Sequence, residues 1–258
     1  MTRFDLFSGV IGPLLLLSAA SVSTGEPADQ QTINYAVKLG ENAQCLDEVN
    51  AAREAAGLSK FTGATDAEKK LPTPNSELED DWKKLCEYLI PTTEDNGEAK
   101  VTGSPFKSGT YAVQVLTSET PQCSETVDSW KKAYKNFSGL PPSKSQDPEL
   151  YKKQDNISFV ALYNPSTEGT ADCRVATCTK TVSAGVGVLN GGETSQPTER
   201  GQALICMTTP DVFQDASSAP FTQEQWDKII TSLTGSASAA VPRLTAFAIV
   251  LLSTLLVL

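Results

Sequence analysis

The chain has 258 residues, with 21 Lys and Arg against 31 Asp and Glu for a formal charge of −10, 40% hydrophobic residues, six cysteines and no histidine. That apolar fraction suits a packed core rather than a disordered chain. Without histidine there is no Ser-His-Asp or Cys-His catalysis, no HExxH metalloprotease helix and no imidazole-bound zinc. The negative field also disfavours nucleic acid and anionic lipid head groups as partners.

At the front, Arg3 precedes an apolar stretch from Leu6 to Ala20, followed by the small residues Ser21, Ser23 and Gly25. Charge, apolar run and small residues in that order describe a secretory signal peptide over residues 1–25. Gly9, Gly12 and Pro13 would break a core helix there.

From Thr32 to Gly57, the positions Ile33, Val37, Leu46, Val49 and Ala52 suit one helical face, and Gly57 is a natural stop, so the pattern predicts one long helix. Thr62 to Asn75 reads as loop. Ser76 with Glu79 forms a capping box, and Leu78, Trp82, Leu85, Cys86 and Leu89 make a helical stripe that Pro91 ends. The acids Glu79, Asp80 and Asp81 fall in that helix's first turn, where the macrodipole favours them.

Asp95, Asn96 and Gly97 mark a turn, and Thr110 to Thr117 is β-rich and predicts a strand. Ser124 is placed to cap a third helix carrying Val127, Trp130, Tyr134 and Phe137, closed by Gly139, Pro141 and Pro142. Ser143 to Asp155 is polar and reads as loop. Three strands are expected next, at Ile157 to Tyr163, Cys173 to Lys180 and Gln202 to Thr208. Gly185, Gly187, Gly191 and Gly192 suit a hairpin connection, because no Lys-Ser or Lys-Thr follows to hold a phosphate. Thr222 and Gln225 box the start of a last helix with Trp226, Ile229, Ile230 and Leu233. Each of Trp82, Trp130 and Trp226 lies in register with other apolar residues and reads as core.

The small residues Gly235 to Ala240, a spacer ending at Pro242 and Arg243, and fifteen uncharged residues from Leu244 to Leu258 complete the chain. A membrane span needs about 20 apolar residues. Small residues, spacer and short apolar tail instead describe glycosylphosphatidylinositol (GPI) attachment, at Ser236 or Gly235, with residues 236–258 removed. The expected product is a single domain over residues 26–235, tethered to the outer leaflet of the plasma membrane.

An oxidising exterior pairs cysteines, so Cys45, Cys86, Cys123, Cys173, Cys178 and Cys206 predict three disulfides, in any of fifteen connectivities. No CxxC spacing is present to suggest a metal site. Asn136 and Asn156 head N-glycosylation sequons. Strands interspersed with amphipathic helices predict a sheet covered by helices, an α/β layered sandwich.

Several segments carry a resemblance. CLDEVNAAREAAGLSKF, Cys45 to Phe61, resembles the first helix of the CAP superfamily of cysteine-rich secretory, venom-antigen and plant pathogenesis-related proteins. TVDSWKKAYKNF, Thr126 to Phe137, is similar to that family's Trp-bearing helix, and Cys173 to Pro210 to its closing strands. The complete layout is closer to the GPI-anchored surface antigens of coccidian parasites of the Eimeria type. The resemblance implies a three-layer α/β/α sandwich and a Cys173–Cys206 bridge, with Cys178 reaching Cys45, Cys86 or Cys123.

Where metal-holding CAP proteins carry histidines and acids, this chain has Val49 before Asn50, Ala133, and Ser158 and Phe159. The zinc-type site is therefore expected to be lost, with no cofactor. The resulting expectation is a non-enzymatic surface antigen that meets host cells or antibodies. Two alternatives are a lipid- or sterol-binding CAP-like surface protein, and a hydrolase using two carboxylates about 5 to 10 Å apart.

Overall fold

In the computed structural model the described residues are 32–74, 80–91, 109–183 and 198–235. Elements follow in the order β1 (Thr32–Leu39), α1 (Leu46–Ala55), β2 (Thr62–Gly63), α2 (Asp80–Leu89), β3 (Thr110–Leu116), α3 (Cys123–Lys132), α4 (Gln154–Leu162), β4 (Thr170–Ser183), β5 (Thr198–Thr209) and α5 (Gln223–Thr234), with short 3-10 turns between some of them. The main sheet has the order β1-β4-β5-β3, every neighbour antiparallel, and β2 adds a two-residue parallel pairing on β4.

Two elements differ from the sequence expectation, each for a physical reason. Thr32–Leu39 is a strand, not the start of a long helix. Tyr35, Val37 and Leu39 alternate with exposed neighbours, and that period of two outweighs the Ile33–Val37 spacing read as helical. The helix is confined to Leu46–Ala55 and ends at Gly57, whose φ of +69° suits glycine.

Ile157–Tyr163 is not a strand; Ile157–Leu162 belongs to α4, in which every residue from Asn156 to Leu162 is buried, and Tyr163 is its C-cap. A segment buried on all sides has no polar face, so its sequence carries no period to read.

The described residues place the other expected elements close to where the pattern put them. α2 carries Trp82, Leu85 and Cys86 fully inward. Its expected Ser76–Glu79 capping box lies outside the described residues, as do the Asp95–Gly97 turn and the Gly185–Gly192 connection. α3 begins at Cys123 with Gln122 as N-cap and no side-chain cap, so Ser124 sits inside the helix. At α5 the expected capping box is present. Gln225 N–H donates to Thr222 Oγ1 at 3.2 Å, and Thr222 N–H donates to Gln225 Oε1 at 2.9 Å.

Alternation along the strands sends two sets of side chains to opposite faces of the sheet. Ala112, Ala171, Cys173, Val175, Leu204 and Cys206 join one large core with residues of α1, α3, α4 and α5. At its centre Phe159 meets Phe137, Tyr163, Phe221 and Trp226 at centroid separations of 5.1 to 6.2 Å. Tyr111, Val113, Ala176, Ala203, Ile205 and Met207 face the other way, against Trp82 and Leu85 of α2.

The expected three-layer α/β/α sandwich of CAP type is therefore corrected. Among the described residues the fold is a five-stranded, mostly antiparallel sheet that shares one large core with α1, α3, α4 and α5, while the ten-residue α2 packs on the opposite face without forming a helical layer there. The resemblance implied helical layers on both faces, yet the main strands pair antiparallel and need no helical crossover between faces. α2 sits very close to the sheet: a Cβ on Gly201 would lie 2.8 Å from Leu89 Cβ.

Candidate functional site

All six cysteines lie among the described residues and none is free there. Cys45–Cys123 joins the starts of α1 and α3, Cys86–Cys178 ties α2 to β4, and Cys173–Cys206 links directly opposed residues of β4 and β5. Their sequence separations are 78, 92 and 33. In the chain-entropy picture these loops correspond to about 4.5, 4.6 and 3.7 kcal/mol of lost unfolded-state freedom.

The residues that the resemblance set against a metal site are taken up by packing. Val49 and Ala133 are buried in the large core and Phe159 is its aromatic centre. Ser158 Oγ accepts the Val113 N–H at 3.0 Å, locking α4 to β3. Asn50 clamps the backbone of Phe61, donating to its carbonyl at 3.1 Å and accepting from its N–H at 2.8 Å.

Arg53 is fully buried. Its guanidinium lies 3.5 Å from the Phe61 ring centroid and donates to the Ser59 and Leu162 carbonyls at 2.8 and 2.9 Å. Burial lowers its pKa from the ordinary arginine range to about 10, while Tyr163 opposes that shift. In turn, burial pushes the Tyr163 hydroxyl well above its ordinary value, opposed by a hydrogen bond from Ser232 and by the Arg53 charge.

Several clefts open on the helical side, and two of them border α3. One, of about 380 Å³, lies between α1, α3 and α5, walled by Ala51, Ala52 and Ala55 with Val127 and Leu233, and it reaches Tyr163. The other, of about 460 Å³, runs between the outer strand β3, the 117–122 loop and α3. Trp130 Nε1 donates to the Val113 carbonyl at 3.0 Å and fixes α3 against β3. The Cys45–Cys123 bond pins the helix start, and Arg200 reaches Glu119 of the loop at 3.8 Å. None of these lining residues forms a recognisable motif; the fold alone brings them together.

Of the two sequon asparagines, Asn156 is fully buried and donates its Nδ2 to the Leu150 carbonyl at 2.7 Å. A glycan on Asn156 would have to displace this packing and hydrogen bond. Asn136 is exposed and donates to Asn156 Oδ1 at 2.7 Å. Gly235 lies exposed at the C-cap of α5, whereas Ser236 and both terminal segments are outside the described residues. Among the described residues, no helix is long and apolar enough to cross a membrane.

A model of the sporozoite surface antigen (SAG) protein domain matches residues 41–248. The chain is 33% identical over 203 residues to the sporulated oocyst TA4 antigen of Eimeria tenella, across 73% of this chain and 74% of that protein. No solved structure matches.

Proposed function

Because this chain belongs to the sporozoite surface antigen family of coccidian parasites, we propose that it is a non-enzymatic antigen displayed outside the cell. Residues 1–25 direct export. The tail over residues 236–258 is exchanged for a GPI lipid at Ser236 or Gly235, and the domain between them contributes to host-cell attachment or immune exposure.

The observation that carries this reading is the complete pairing of the cysteines among the described residues. Three bonds closing loops of 33 to 92 residues suit an extracellular domain, since cytosolic thiols are kept reduced. The exposed end of α5 at Gly235 agrees with a transamidase reaching the chain there.

Treatment of intact cells with phosphatidylinositol-specific phospholipase C tests the tether. Release of the protein into the supernatant is expected; retention on the cells would remove the GPI reading. Attachment is tested separately, by adding soluble protein to host cells before the parasite. Saturable binding and reduced parasite adhesion are expected, and the absence of both would leave display alone.

A further inference from the structure

We propose that the cleft between β3 and α3 binds a neutral, hydroxyl-bearing ligand of mono- or disaccharide size. The proposal goes beyond surface display and gives the attachment reading a ligand class, but it rests on the cleft itself.

The cleft's volume of about 460 Å³ falls within the usual range for small-ligand sites. Its walls carry hydroxyls from Thr117, Ser118 and Ser129, side-chain amides from Gln114 and Gln122, and the Glu125 carboxylate. Such groups present many donors and acceptors in several directions.

Charge narrows the choice. Glu125 and Asp128 oppose an anion, while Lys132 offsets attraction for a cation. Asp128 is already held by Lys131 at 3.1 Å. An apolar ligand would strip water from this polar wall without replacing its hydrogen bonds, which costs free energy at each group. A neutral polyol answers those groups without that loss.

An apolar contact is available beside them. Leu116, partly buried against the large core on the helical side of β3, lines the cleft, a position where the C–H face of a pyranose ring would cover it. Both walls are fixed before any ligand arrives. Val113 is bonded by Ser158 and Trp130, α3 starts at a disulfide, and β3 is in register with β5. Preorganisation of this kind reduces the ordering cost of binding.

Saturation-transfer NMR tests the inference on full-length protein from a secretory host, with its disulfides formed. The probes are the methyl glycosides of glucose, galactose, mannose and N-acetylglucosamine, with a sulfated heparin disaccharide alongside. Transfer to at least one neutral glycoside is expected, with little to the sulfated sugar. Ser129→Trp, which fills the cleft, is expected to reduce the signal at least tenfold, and Gln114→Ala to reduce it severalfold. Near-UV circular dichroism checks the folding of both, and Gln114→Ala decides if Ser129→Trp misfolds. No transfer to any neutral glycoside, preference for the sulfated sugar, or unchanged transfer in a folded variant would each overturn the proposal.

Discussion

The two faces of the sheet are stabilised in different ways. On one face, α1, α3, α4 and α5 share a continuous core around Phe159 and carry the Cys45–Cys123 bond. On the other, α2 is the sole helix among the described residues, holding the sheet through Trp82, Leu85 and the Cys86–Cys178 bond. A large core distributes its burial over many mutually supporting contacts, whereas a single helix depends on a few. The helical face should unfold only with the whole domain, and α2 should be able to detach by itself.

Large-to-small substitutions test that contrast most severely. Phe159→Ala and Trp82→Ala are each expected to cost about 3 to 5 kcal/mol in urea denaturation. Hydrogen exchange distinguishes them: Phe159→Ala should accelerate exchange throughout the protected core, Trp82→Ala chiefly in α2. A uniform response to both would show that the faces form one cooperative unit.

Next in size are the disulfides. Replacing Cys86 and Cys178 together by alanine should cost about 3 kcal/mol and raise exchange in α2. The same change at Cys173 and Cys206 should cost less, because the loop is shorter and the β4–β5 ladder already pairs Thr170–Thr181 with Thr198–Thr209. Equal losses would contradict a special dependence of α2 on its bond.

Alkaline pH acts on the helical face. Burial raises the pKa of Tyr151 and Tyr163 above the ordinary 10.0. Between the unfolded and folded values the native state holds protons that the unfolded chain has lost, so stability should fall as pH rises above about 10. Arg53 works in the opposite sense. Its pKa is lowered to about 10, so the strain of its buried charge is relieved as pH rises above that value. Two tyrosines against one arginine leave a net decline, measurable by denaturation between pH 9 and 11.5. Tyr163→Phe should make the decline shallower; an unchanged slope would refute its part in it.

The smallest effect is local. Thr222→Ala removes the α5 capping box and should cost about 1 kcal/mol. A loss of several kcal/mol would mean that the docking of α5 depends on this turn more than its contacts indicate.

The same contrast governs how much could be read from the residues. Half-buried elements announce themselves: Trp82, Leu85 and Cys86 stripe α2, and Thr222 with Gln225 marks the start of α5. α4 was illegible because it is buried all round, leaving no polar face to set a period. β1 was misread because Ile33 and Val37 satisfy a helical spacing as well as an alternating one, and only pairing with β4 decides between them. The cysteine count, together with the export and tail signals, pointed to paired thiols. Where the helices would gather was not encoded locally, so the three-layer α/β/α expectation failed. The β3–α3 cleft was equally hidden, since Gln114, Ser129 and their neighbours are ordinary polar residues until the sheet brings them together.

The proposed antigen is an outward-facing domain locked by sulfur. Its most direct measurement is membrane-impermeant biotinylation of live, unpermeabilised cells, followed by alkylation and non-reducing peptide mapping of the labelled protein. The prediction is surface labelling with Cys45–Cys123, Cys86–Cys178 and Cys173–Cys206 bonded and no alkylated thiol. Labelling only after permeabilisation, or free thiols at these positions, would contradict it.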